Sequence, residues 1–145
     1  MYAILQTTHS LFAFAVLVIL ALATINALSS YILRKDFTDK DLRISLFALI
    51  FSHIQLLLGL VMYFMSPYFE MITSSGMGSV TKDIAIRLYA LEHPLMNILA
   101  IALITIGWSK HKKETESAGK FRKIMFFYGL GLLFIASRIP YKAWF

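Results

Sequence analysis

The chain has 145 residues, of which 59% are hydrophobic and only 15% charged, with no cysteine and a formal net charge of +6. An ordinary soluble domain is roughly a quarter charged, so this composition excludes a water-soluble fold. The missing cysteines exclude disulfides, thiolate catalysis and cysteine-ligated zinc or iron–sulfur clusters. The positive charge lies in short connections that cannot build a folded nucleic-acid readout surface, so nucleic acid is not an expected partner.

Four hydrophobic segments follow one another. A buried core helix seldom needs more than about 14 unbroken apolar residues, whereas a helix crossing ~30 Å of hydrocarbon needs about 20. The segments 4–33, 44–65, 82–109 and 121–139 are read as spanning helices, the fourth being the shortest. Strand-like alternation is absent, and within lipid only helices or closed barrels satisfy the backbone. The expectation is a single all-α domain over 1–145, an antiparallel up-down four-helix transmembrane bundle. Residues 1–28 resemble a signal peptide superficially. They lack a basic leading region and their apolar run is too long, so they read as a retained first helix.

The connections carry the topology. The first, RKDFTDKDLR (34–43), mixes charges and reads as a tight turn. Pro67 ends the second helix, and YFEMITSSGMGSVT (68–81) reads as a Gly/Ser/Met-rich loop. Thr81 is placed as the cap of the third helix, with Asp83 in its first turn. The third connection, KHKKETESAGKFRK (110–123), reads as a solvated loop containing His111. Basic residues concentrate in connections one and three, which the positive-inside rule assigns to the cytoplasm. Both termini then face outward. Tyr63, Phe64, Tyr68, Phe69, Tyr141, Trp144 and Phe145 fit an outer aromatic belt.

Ionisable residues at membrane depth are costly to keep there, which makes each a functional candidate. Three stand out, His53, Glu92 and His93, with His9 where the first helix enters the membrane. On the helical rise His53 lies roughly 15 Å, His93 about 25 Å and His9 about 37 Å from the cytoplasmic edge. His53 and His93 thus straddle the bilayer centre. Two neutral imidazoles from facing helices can supply both axial ligands of a haem iron, as helix bundles commonly do. Against this stands the plainer reading, in which each histidine makes an interhelical hydrogen bond of about a kilocalorie per mole. For His9 an interfacial hydrogen bond is the favoured role.

Neighbouring residues suit the cofactor reading. Ser52 and Gly59, one heptad apart, leave room for a flat macrocycle, and Ala90, Asn97 and Ala100 share a side of the third helix with His93. Pro94 cannot donate to the carbonyl of Ala90, which encourages a kink. Gln55, Glu92 or Asn97 can accept an imidazole N–H. Glu92 is open to three roles: a proton-handling group, a partner for Arg87, or a carboxyl kept neutral by burial. Arg138 can meet haem propionates or snorkel to lipid headgroups. The methionines are gap-fillers rather than copper ligands. There is no phosphate loop, no Gly-x-Ser-x-Gly elbow and no His-Glu-x-x-His helix.

The stretches LFALIFSHIQLLLGLVMYFMSP (46–67) and LEHPLMNILAIALITIGWSK (91–110) resemble the small four-helix membrane proteins of Bacteroidota labelled cytochrome b. The His53-x-Gln55-x-x-x-Gly59 run is also similar to one half of haem A synthase and, more loosely, to cytochrome b561-type bundles. The resemblance implies a haem b within the bundle, with His53 and His93 as matched metal ligands and His9 at the family's early histidine. It implies residence in the bacterial inner membrane, multi-pass, with both termini periplasmic. The chain has half the helices of haem A synthase and lacks its acidic outer-loop motif, so haem synthesis is not expected. The function expected is electron transfer in a respiratory or quinone-linked chain, with a quinone or a larger respiratory complex as partner. The alternative is a non-catalytic accessory or assembly subunit of a larger membrane complex. Proton or solute transport ranks third, since four helices rarely enclose a pathway and no broken-helix repeat is visible.

Overall fold

A computed structural model describes residues 1–144; Phe145, included above in the aromatic belt, lies outside the described residues. Among those residues there is no strand. Helix α1 runs Tyr2–Ile32 and α2 runs Asp39–Phe64. Two short helices follow, α3 at Pro67–Ser75 and α4 at Gly78–Thr81. Helix α5 (Ile84–Arg87), a π-helical turn (Leu88–Glu92) and α6 (His93–Lys113) form one continuous rod, α7 runs Ser117–Ser137, and a 3-10 turn covers Tyr141–Ala143.

Three of these rods, Tyr2–Ile32, Asp39–Phe64 and Ile84–Lys113, are long and apolar enough to cross a membrane. Their outward faces are what lipid requires. Leu11, Phe14, Leu22 and Ile25 on α1, and Phe47, Leu57, Val61 and Phe64 on α2, are exposed apolar residues. Such a belt on a soluble protein would be an association liability. The fourth expected span, α7, is different. Lys120, Arg122 and Lys123 occupy its beginning, leaving an apolar stretch of roughly 21 Å on the helical rise.

Helix α1 packs against α2 and α7, and α6 packs against α2 and α7. Leu20, Ile104, Phe121, Ile124 and Tyr128 fill the middle of this arrangement, all fully buried. The α6–α7 contact is the closest. A Cβ on Gly107 would meet Phe127 Cβ at 2.5 Å, and one on Gly131 would meet Ile104 Cγ1 at 2.8 Å. Small residues at these crossings let the rods approach, which is how helices associate where lipid removes the hydrophobic driving force.

The connections differ from the expectation in several places. Arg34 leaves α1 through a left-handed conformation (φ 53°), a position helices usually give to glycine. Thr38 caps α2: its backbone N–H and hydroxyl both donate to Asp41 Oδ2 at 2.8 Å in a capping box. The 68–81 loop is largely helical, because Ser66 accepts from the Phe69 N–H at 3.2 Å and Pro67 occupies the first turn of α3. The cap of the third rod is Asp83, not Thr81: its carboxylate accepts from the Ile86 N–H at 2.9 Å, while Thr81 closes α4. The 110–123 loop shrinks to 114–116, since α6 continues to Lys113 and α7 begins at Ser117. His111 is therefore buried rather than solvated. Its ring lies 4.6 Å from that of Trp108 and 5.6 Å from that of Phe37, and its Nδ1 bonds the Trp108 carbonyl at 2.6 Å.

Candidate functional site

The third rod changes its winding where the sequence forces it to. Pro94 has no N–H, so the Ala90 carbonyl loses its partner in the helical ladder. The strand of the helix answers with the π-helical turn Leu88–Glu92, a feature that recurs at functional sites. The freed Ala90 carbonyl accepts instead from the Tyr63 hydroxyl on α2 at 2.9 Å. His93 sits at the junction between this turn and α6.

Beside that junction lies a cavity of about 260 Å³, lined by α1, α2, the π-helical turn, α6, the end of α7 and the 3-10 turn. Its volume is just below the ~300–1,000 Å³ of ordinary small-molecule pockets. It is long for that volume. Along α1 its lining runs from Tyr2 to Leu17, roughly 22 Å on the helical rise.

His9 and His93 face each other in this cavity, their ring centres 6.3 Å apart and their planes at 82°. His93 is held from behind. Its Nδ1–H donates to the main-chain carbonyl of Arg138 at 2.8 Å, and Asn97 Nδ2 donates to the His93 carbonyl at 2.7 Å. A donor at Nδ1 leaves the lone pair on Nε2, the tautomer that a metal-ligating histidine adopts. His9 is fixed by Gln55, whose Nε2 donates to the His9 carbonyl at 2.9 Å and lies 3.1 Å from its Nδ1 and 3.3 Å from its Nε2, so both ring nitrogens face that amide. The other end of that amide, Gln55 Oε1, is buried with no hydrogen-bond partner. A buried acceptor left unmade costs about 1–3 kcal/mol, and the residue that carries it lines the cavity. Gly59 completes the cradle: a Cβ there would come 3.1 Å from His9 Cε1.

Glu92 is the salt-bridge centre of the outer rim. Its Oε1 meets Arg87 Nε at 2.8 Å and its Oε2 meets Arg138 Nε at 3.2 Å. Of the roles open to it from the sequence, the partner for Arg87 is realised, with a second guanidinium added. Arg138 contributes twice, through its side chain to Glu92 and through its carbonyl to His93. Tyr68 and Tyr89 stack at the cavity wall, centres 5.2 Å apart and 5° from parallel. Burial, then Tyr89 and Tyr2 nearby, push the Tyr68 phenol up from its usual range, so that hydroxyl stays neutral.

His53 stands elsewhere. Its Nδ1–H donates to the Leu49 carbonyl of its own helix at 2.8 Å, and its Nε2 lies 3.3 Å from Thr105 Oγ1 on α6. Ser52 and Gln55 on the same helix line the cavity and His53 does not. Thr105 lies roughly 18 Å along the rod from His93 on the helical rise. The expected convergence of His53 with His93 on one group is thus not what the fold builds. Of the sequence-derived site residues, His9, Gly59, Asn97, His93 and Arg138 are brought together and His53 is left out. The depth estimates missed this because each was counted from a different helix end: His53 is level with Thr105, and His93 is level with His9 rather than about 12 Å from it.

The donor set discriminates between metals. Among the described residues no group of three or more His, Asp or Glu side chains can hold a metal ion. A free divalent ion needs such a set. A haem iron takes four nitrogens from its porphyrin and asks the protein for only two axial ligands. His9 and His93 are the two side chains on this cavity that would hold such a group. Comparison with protein-family models, with curated proteins and with solved structures returns no match.

Proposed function

We propose that the chain is a haem b-binding membrane protein that takes part in electron transfer, with His9 and His93 as the axial ligands. The observation that carries this reading is the facing pair of imidazoles across an intramembrane cavity. The unpaired Gln55 Oε1 and the Gly59 cradle support it. When bound, the haem would supply one-electron redox chemistry. The chain's own residues do the rest: Arg138 and Asn97 orient His93, Gln55 orients His9, and the apolar walls exclude water, which tunes potential. In the same reading α7 is the fourth span of an antiparallel bundle in a bacterial inner membrane. Both termini and the Glu92 rim are periplasmic, and the basic 34–43 and 110–123 segments are cytoplasmic. The partner class is a quinone or a larger respiratory complex, and the family is the one labelled cytochrome b. Protein purified from haem-replete cells is expected to show reduced-minus-oxidised Soret and alpha bands; a colourless preparation would remove the proposal.

One observation favours a second reading, a subunit of a larger membrane complex. His53 is only half-buried at the α2–α6 seam, outside the cavity and 3.3 Å from Thr105 Oγ1, so part of its polar ring stays uncovered at membrane depth, where that is costly. A partner helix covering the rest of the ring would relieve that cost. Mild detergent extraction should then yield a stoichiometric partner that His53→Leu releases.

A further inference from the structure

The role of Glu92 is not explained by the cavity itself, since its carboxylate faces the two arginines rather than the imidazoles. We infer that Glu92 is a positioning residue that fixes the tautomer of His93, acting through Arg138. The inference rests on the haem reading for its consequence but not for its geometry.

Arg138 caps the end of α7, where the last carbonyls of a helix have no partner within it. Its carbonyl is such an orphan, and it accepts from His93 Nδ1–H at 2.8 Å. The negative end of the α7 dipole adds to the pull on that proton. A main-chain acceptor at a frayed helix end has to be held in place by something else. Glu92 does this: it grips the Arg138 side chain at 3.2 Å from the residue immediately before His93. The imidazole and the carboxylate that anchors its acceptor are therefore chain neighbours across the junction of the π-helical turn and α6. Arg87, the other partner of Glu92 at 2.8 Å, belongs to α5 and touches neither Arg138 nor His93 in the hydrogen-bond pattern. It braces the carboxylate without steering the imidazole.

The test compares Glu92→Gln, Arg138→Gln and Arg87→Gln in the full chain, in lipid nanodiscs. Nitrogen-15 NMR of the haem-free protein reads the His93 tautomer directly. The wild type and Arg87→Gln should hold the proton on Nδ1, whereas Glu92→Gln and Arg138→Gln should give a mixture with Nε2–H. With added iron protoporphyrin IX, the same two variants should bind about ten-fold more weakly or worse, the usual effect of losing a partner behind a ligand. An unchanged tautomer in a folded Glu92→Gln protein would overturn the inference. Failure of the wild type to bind haem while the tautomer still follows Glu92 would instead defeat the haem reading alone.

Discussion

At the scale of single residues, the site is a set of groups that hold two rings in place, and Gly59 is the one that touches His9 through the absence of a side chain. Its missing Cβ is what lets His9 Cε1 sit where a substituent would lie 3.1 Å away. Gly59→Leu is expected to displace the His9 ring and lower haem retention by about ten-fold, measured as the haem-to-protein ratio after purification. Retention equal to the wild type would show that His9 is not confined by this contact. The sequence made Gly59, Asn97, Arg138, the intramembrane His53 and His93 and the interfacial His9 visible as candidates, because polar groups and small residues at membrane depth need a reason to be there. It did not make the pairing visible. Ser52 and Gln55 point into the cavity while His53, between them, points to Thr105, and periodicity alone does not say which face of α2 meets a cofactor.

At the scale of elements, the third rod is the one whose winding the sequence announces. Pro94 after His93 removes a ladder hydrogen bond, and the structure answers with a π-helical turn rather than a simple bend, its loose carbonyl taken by Tyr63. Tyr63→Phe leaves the Ala90 carbonyl without that donor. The cost should be about 1 kcal/mol, as expected for an interhelical hydrogen bond in a membrane, read as a lowered midpoint of unfolding in detergent. No change would mean that another group already satisfies Ala90. Short-range rules located the rods but misjudged their ends. The 110–123 stretch looked like a loop because it is charged, yet His111, Trp108 and Phe37 pack together and carry α6 to Lys113. Charged residues at a membrane surface do not stop a helix whose next turn has an apolar neighbour to cover.

For the whole molecule, hydropathy was sufficient to identify an all-helical chain with three rods able to cross a membrane. It was less informative about α7, whose apolar stretch is short and whose place comes from packing against α1 and α6. The absence of cysteine makes the topology open to a clean test. Met77→Cys should react with a membrane-impermeant maleimide added to intact cells, and Thr115→Cys only after the inner membrane is breached. The reverse pattern would invert the proposed orientation and put the His9–His93 cavity near the cytoplasmic side.

In the proposed reading one cavity, closed by imidazoles from the first and third rods, holds the redox group. Reduced-minus-oxidised absorption spectra of the purified wild type, His9→Ala, His93→Ala and His53→Ala proteins test it most directly. The cytochrome bands should vanish in the His9 and His93 variants and persist in the His53 variant. Bands that survive in His9→Ala but disappear in His53→Ala would contradict the account and return the ligand pair to His53 and His93.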